Sequence, residues 1–325
     1  MLPVWRIVIP TPFKVGPVNV YLIREDPITL VDAGPYTPEA QAALRRGLAE
    51  AGLSLKDVRR VILTHGHPDH YGLAVAIRDI SGAAVFLHPR ELEKTAQEVN
   101  FIQERGDLLR WAGIPEEILH LVERVYISDR AYALPLKDIT PITDGLVFPF
   151  EKHRLKAFRL PGHSTGQCNF YEPEERLFFA GDNLLAHITP NPLLEPGDEP
   201  EGPKIISGAG PARQPTLSLY LETLGFIEDL EIDLVYPGHG PAIQDHRARI
   251  AEIRRHHLAR QLEILGALNG RPRTVLELSQ HFFPDLQGFD LFLGLSEVQA
   301  HLDLLVQEGR AGVLEERGIG YYFVN

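Results

Sequence analysis

The chain has 325 residues, 44% apolar and 23% charged, proportions that allow one large domain and a smaller appendage to bury a real core. A formal net charge of −12 disfavours nucleic acid and anionic lipid as default partners, and a single cysteine, Cys168, excludes an internal disulfide. No apolar run approaches the roughly 20 residues of a membrane helix, and "MLPVWRIVIP" lacks the cationic start and apolar stretch of an export signal, so a cytoplasmic protein with no membrane partner is expected.

In chain order, the β-branched runs "WRIVIP", "VNVYLI" and "ITLVDAG" read as consecutive strands separated by turn residues. "TPEAQAALRRGLAEAG" has helical spacing, a threonine cap and a terminal glycine. "VRRVILT" is the next strand, "LAVAIRDISGA" a helix and "AVFLH" a further strand, and this alternation predicts an α/β architecture. Residues of about 90–137 are helical in pattern and interrupt the strands, which reads as an insert. Strands resume from "ITDGLVFPF" through "HRLKAFRLPGHS" and "QCNFYEPEERLFFAGDN". Residues 184–215 are rich in proline and glycine and too long for an idle connector, so they are expected to cover a site. A helix, "PTLSLYLETLGFIEDL", leads to the strand in "DLVYPGHG".

After residue 245 the pattern changes. "RARIAEIRRHHLARQLEILGAL", "RTVLELSQHFF" and "SEVQAHLDLLVQEG" read as three helices, and "AGVLEERGIGYYFVN" as a hairpin. That order predicts a small winged-helix-like domain over 246–325, following an α/β domain over 1–245.

The chemistry concentrates in "THGHPDH", where His65, His67, Asp69 and His70 follow a strand directly. Three more metal-capable side chains also sit at strand ends: His163 in "LPGHSTG", Asp182 in "FFAGDN" and His239 in "YPGHG". Imidazoles and carboxylates converging on one point suit zinc and similar ions, and two adjacent ions need about six protein ligands and a bridging carboxylate. A lone loop histidine is ordinarily just solvated; seven candidates in strand-end loops, nearly all beside glycine or proline, point to a shared centre. Cys168, five residues past His163, reads as a buried strand residue. His88, His153 and His246 do not fit the ligand pattern, whereas His187 lies in the covering stretch and is a candidate for the substrate pocket.

The set His-x-His-x-Asp-His, followed by a distal His, Asp and His, resembles the metallo-β-lactamase superfamily over residues 1 to about 245. The resemblance implies an αββα sandwich. It also implies that His65, His67 and His163 hold one divalent ion, that Asp69, His70 and His239 hold a second, and that Asp182 bridges them, with Asp69 and Asp182 as catalytic carboxylates. A metal-bound hydroxide would be the nucleophile, and Asp32 in "LVDAG" would orient a ligand imidazole. Two Zn²⁺ ions are expected, with Mn²⁺ or Fe²⁺ as alternatives.

Within the superfamily, Asp182 and the absent export signal argue against antibiotic hydrolysis, and His67 stands where diiron flavoproteins have glutamate. "GDNLLAHITPNP", "YPGHGPAI" and the "HH" of His256 and His257 resemble the beta-lactamase-like-protein-2 group with its C-terminal winged helix. The expected reaction is hydrolysis of a small ester, thioester or lactone. The alternative implied by that group is metal-dependent cleavage of single-stranded RNA, and a mononuclear-iron persulfide dioxygenase is a third reading. Residues 246–325 hold nine arginines, no lysine and ten acidic residues, and Glu297, Asp303 and Glu308 sit on the third helix, so this tail is expected to pack within the protein or at a homodimer interface rather than bind nucleic acid.

Overall fold

The computed structural model describes residues 1–98, 100–197 and 210–325, which form two compact units. Unit 1 comprises 1–98, 129–190 and 223–250, and unit 2 comprises 99–128, 191–222 and 251–325.

Among the described residues, unit 1 contains two sheets. In the first, β1 (Val4–Ile9), β2 (Val18–Ile23), β3 (Thr29–Val31), β4 (Arg60–Ile62), β5 (Ala84–Leu87) and β6 (Thr140–Pro141) lie in chain order. The pairs β1–β2 and β2–β3 are antiparallel; those from β3 to β6 are parallel, with helices in the crossovers. The second sheet has the order β11 (Leu234–Pro237), β10 (Leu177–Gly181), β9 (Cys168–Glu172), β8 (Arg154–Arg159) and β7 (Val147–Pro149), with β10 and β11 parallel. Every residue of β2 and β10 is buried, as expected of strands covered on both faces.

Tyr21, Ile23, Val31 and Ile62 of the first sheet share a core with Phe148, Leu155, Phe170 and Phe179 of the second. Tyr21 meets Phe179 edge to face at 5.5 Å, and Phe86 meets Phe148 at 5.1 Å. The outer face of the first sheet is covered by α1 (Pro38–Glu50), which Thr37 caps through the Ala40 amide, while α2 (Pro68–Tyr71), α3 (Ala74–Ser81) and α4 (Leu92–Ala96) follow in the crossovers. Gly47 lets α1 approach β1, since a Cβ there would lie 2.5 Å from Ile7 Cγ2. On the second sheet, Phe226 packs on Phe158 at 5.0 Å. The unit is therefore the α/β sandwich that the strand–helix alternation predicted, and Cys168 is the buried strand residue expected of it.

At the edge of this sandwich His153 is held between two carboxylates, with Nδ1 2.5 Å from Glu25 and Nε2 3.2 Å from Glu175. Partial burial would lower its pKa, but the two acidic partners outweigh that and raise it, while Glu25 is lowered, the His153 contacts and the Lys152 amide outweighing burial. A raised imidazole pKa contributes stability that is complete below the unfolded value of about 6.5 and is lost as pH climbs through the folded value. His153→Gln is therefore expected to destabilise the protein near pH 6 and to cost progressively less above neutrality. Melting temperatures of both proteins across that range check this; a pH-independent difference would count against the ion pair.

Unit 2 contains α5 (Phe101–Trp111), α9 (Val275–Phe282), α10 (Phe289–Gln307) and the antiparallel hairpin β12 (Ala311–Glu316)–β13 (Ile319–Val324). The boundary between the units falls within α6 (Glu116–Arg130), α7 (Thr216–Asp229) and α8 (His246–Leu268). The three helices and hairpin read after residue 245 are present, with the third helix beginning at Phe289 rather than near Ser296. Phe101, Leu108, Leu109, Leu119 and Leu193 are buried in the same apolar cluster as Ile264, Leu278, Leu295 and Leu302, which assigns part of the helical insert and of the 184–215 stretch to the unit that holds the tail.

Candidate metal centre

The loops that carry chemistry in unit 1 all leave the C-terminal ends of strands. Asp32 follows β3, the His65–His70 segment follows β4, His163 follows β8, Asp182 follows β10 and His239 follows β11. Open α/β sheets place their ligand sites at such ends. Each loop is tied down. Asn19 donates to the carbonyls of Pro237 and Gly240, and Tyr21 Oη donates to Pro237 O, which fixes the His239 loop. Asn183 donates to Leu160 O and Asn169 Oδ1, and Gln167 to Ala180 O, joining the His163 and Asp182 loops.

The seven predicted side chains converge. His65 Nε2 lies 2.9 Å and His163 Nε2 3.1 Å from His67 Nδ1. Asp182 Oδ1 is 3.4 Å from His70 Nε2, and its Oδ2 is 3.7 Å from His163 Nε2 and 3.6 Å from His239 Nε2. Asp69 Oδ2 is 3.3 Å from His239 Nε2 and 4.0 Å from His70 Nε2. Donor atoms of His65, His67 and His163, and of Asp69, His70 and His239, form two trios, each within 4.8 Å. Ligands about 2.05 Å from a tetrahedral zinc stand roughly 3.3 Å apart, so these spacings fit a pair of cations with Asp182 reaching both.

Proton positions follow from the outer partners. Thr64 Oγ1 lies within 3.0 Å of both Asp32 oxygens and of His65 Nδ1. The carboxylate only accepts, so the hydroxyl donates to Asp32 and His65 Nδ1–H donates to the hydroxyl. His70 Nδ1–H donates to Asp32 Oδ2 at 2.8 Å, and His239 Nδ1–H donates to Pro17 O at 2.9 Å. All three rings thus turn an Nε2 lone pair into the cluster. His70 Nε2, His239 Nε2 and Asp182 Oδ1 are buried without a hydrogen-bond partner, which fits ligand atoms waiting for a cation.

Electrostatics divide the imidazoles. Burial, with His70 beside it, holds His65 far below the usual imidazole range, and burial with His163 nearby brings His67 down to about 3, so both stay neutral. Burial would raise Asp69 and Asp182, but the imidazoles around each outweigh it and keep both ionised. His70 is pulled the other way: its three carboxylate neighbours, Asp182 foremost, overcome burial and raise it.

Asp32, which accepts from the His70 ring, adopts φ 62°, a left-handed conformation that a non-glycine residue holds only under constraint. The Thr64 amide and hydroxyl and His70 supply that constraint. His187 is exposed, and the cover expected over 184–215 falls in part on 198–209, outside the described residues. Sequence reading missed Glu91, whose buried carboxylate accepts from Gly66 and Gly166. It also missed Gly238, where a Cβ would stand 2.2 Å from Asp182 Oδ1 and 2.9 Å from His70 Cε1. The glycine of "PGHG" reads as turn punctuation, but its hydrogen is required by the carboxylate beside it. Gly238→Ala is expected to displace Asp182 and weaken divalent-ion binding by at least about tenfold. Zinc titration checks this, and wild-type affinity would refute it.

Residues 13–239 match the family described as Metallo-beta-lactamase superfamily. The probable metallo-hydrolase YqjP of Bacillus subtilis (strain 168) is 32% identical over 304 residues, covering 92% of this chain and 91% of that protein. A beta-lactamase-like protein 2 homolog of Caenorhabditis elegans is 24% identical over 303 residues, 92% of this chain and 82% of its own. The crystal structure of a metallo-beta-lactamase family protein from Thermus thermophilus matches with a TM-score of 0.83 and 32% identity over 99% of this chain and 98% of that one. The chain belongs to the metallo-beta-lactamase superfamily and, with it, to the metal-dependent hydrolases.

Proposed function

We propose that the chain hydrolyses a small ester, thioester or lactone with two divalent ions, Zn²⁺ first among them and Mn²⁺ or Fe²⁺ as substitutes. His65, His67 and His163 would hold one ion and Asp69, His70 and His239 the other, with Asp182 within reach of both trios. The observation that carries this reading is the convergence of seven side chains from four strand-end loops, with orphaned Nε2 and carboxylate atoms aimed inward. Such ions supply Lewis acidity toward a carbonyl oxygen and make a coordinated water acidic enough to ionise near neutral pH. The chain's own part is to fix the geometry. Asp32 holds the His70 ring, the Pro17 carbonyl holds His239, and Asp69 and Asp182 stay ionised so that they can accept a proton or steady a charge.

The order of α8, α9, α10 and the β12–β13 hairpin supports reading residues 246–325 as a winged-helix-like domain behind a catalytic domain of 1–245. Most of α10 from Phe292 to Leu305 is buried, including Gln299, His301 and Asp303, which favours packing over contact with nucleic acid. Among the described residues no helix is long and apolar enough to cross a membrane. The test is elemental analysis of the purified protein, followed by a panel of small esters, thioesters and lactones with single-stranded RNA alongside. Two ions per chain and turnover of a small carbonyl substrate are expected. One iron per chain with oxygen consumption would replace the reading, as would RNA cleavage with no small-molecule turnover.

A further inference from the structure

Glu91 is fully buried just before α4, and its carboxylate faces the two loops that supply the three-histidine group. Oε2 accepts from Gly66 N at 3.0 Å, between His65 and His67. Oε1 accepts from Ser164 Oγ at 2.6 Å and Gly166 N at 2.6 Å, just past His163. Lys94 Nζ, 3.7 Å from Oε2 and 2.9 Å from Ser164 Oγ, balances the charge. Burial alone would push this carboxyl up, but Lys94, with the Ser164 and Gly166 donors, outweighs it and holds the group ionised. Both loops approach Glu91 closely: a Cβ on Gly66 would lie 3.0 Å from Oε2, a tight contact, and one on Gly166 2.8 Å from Oε1 and from Cγ, where something must shift.

We propose that Glu91 is a positioning residue whose carboxylate clamps the His65–His67 loop to the His163 loop and thereby sets the metal affinity of that trio alone. This rests on the two-ion reading above. The chemistry asks for a carboxylate. Two of the three donors are backbone amides that cannot become acceptors, and they approach different oxygens. A carboxamide in the same place turns its NH₂ toward one of them, leaving a buried N–H unpaired and two donors face to face. The Asp69–His70–His239 trio has separate supports, the Asp32 contact to His70 and the Pro17 contact to His239, so it is expected to survive loss of the clamp.

The test titrates metal-free wild type and Glu91→Gln with Zn²⁺ against a competing chelator, and follows Co²⁺ loading by visible absorption. Wild type is expected to bind two ions. Glu91→Gln is expected to keep one site at wild-type affinity and to lose about 10- to 100-fold at the other, the range typical of outer partners of metal ligands. The weakened site should be the one whose Co²⁺ spectrum disappears in His67→Ala. Two unchanged affinities, or equal weakening of both sites, would overturn the proposal. If Glu91→Gln lacks the far-ultraviolet circular dichroism of wild type, Ser164→Ala, which deletes one of the three donors, takes its place: severalfold weakening of the same single site is expected, and unchanged affinity overturns the proposal. A wild-type protein that binds no divalent ion sinks the hydrolase reading itself, whereas two bound ions with an indifferent variant sink only the clamp.

Discussion

Asp182→Ala is expected to bring hydrolysis down by at least about a thousandfold, close to 4 kcal/mol of lost transition-state stabilisation, and to take the protein from two bound ions to fewer than one. Asp182 lies within 3.7 Å of nitrogens from both trios, through Oδ1 to His70 and Oδ2 to His163 and His239. Without it two dications would stand next to each other with no shared anion, inside a site from which most water is excluded, where such repulsion is poorly screened. Asp182→Asn separates charge from shape, because the amide fills the same space but is neutral. If charge is what matters, Asn falls nearly as far as Ala; if shape is what matters, Asn keeps both ions. Elemental analysis and steady-state kinetics on both variants decide this, and an alanine variant with two ions and near-normal turnover would end the two-ion account.

Asp303→Ala is expected to destabilise unit 2 by about 3–5 kcal/mol. Asp303 pairs with the Arg213 guanidinium at 2.6 and 2.8 Å, and Arg213 is only 1% exposed. Gln299 Nε2 donates to Asp303 Oδ1 at 2.7 Å and to Tyr322 Oη at 2.9 Å, and Trp111 Nε1 also donates to that Oη, at 3.1 Å. Removing the carboxylate takes the acidic partner from a buried guanidinium that also donates to Pro211 O and Tyr322 Oη. The double variant Arg213→Met with Asp303→Leu removes both charges at once and is expected to be far less destabilised than Asp303→Ala. Urea unfolding followed by hydrogen exchange at unit 2 amides measures the difference. A cost below about 1 kcal/mol for Asp303→Ala would show that water reaches Arg213.

The contrast between these two residues shows how much was legible in the chain. Asp182 announces itself: it ends an apolar run, lies between glycine and asparagine, and completes a ligand set whose other members are just as plainly placed. Asp303 sits on a helix between leucines, where it reads as a solvated charge, and nothing near it in sequence indicates that Arg213 lies against it. Glu91 is hidden the same way. In "HPRELEK" it looks like an ordinary acidic residue of a helix start, and its partners are 25, 73 and 75 positions away.

By itself the sequence determined the alternation of strands and helices, the strand-end loops and the seven metal-capable side chains, because these depend on residue type and short-range periodicity. Tertiary structure alone decided the rest: which imidazole nitrogen faces the cluster, which loops the Asp32 and Glu91 carboxylates bond to, and how closely Gly238 approaches Asp182. It also decided that residues 99–128 and 191–222 belong to the unit that contains the tail. The physical reason is the same in each case. Hydrogen-bond partners, counter-charges and shared apolar cores are chosen by contacts between segments far apart along the chain, and such contacts leave no local pattern to read.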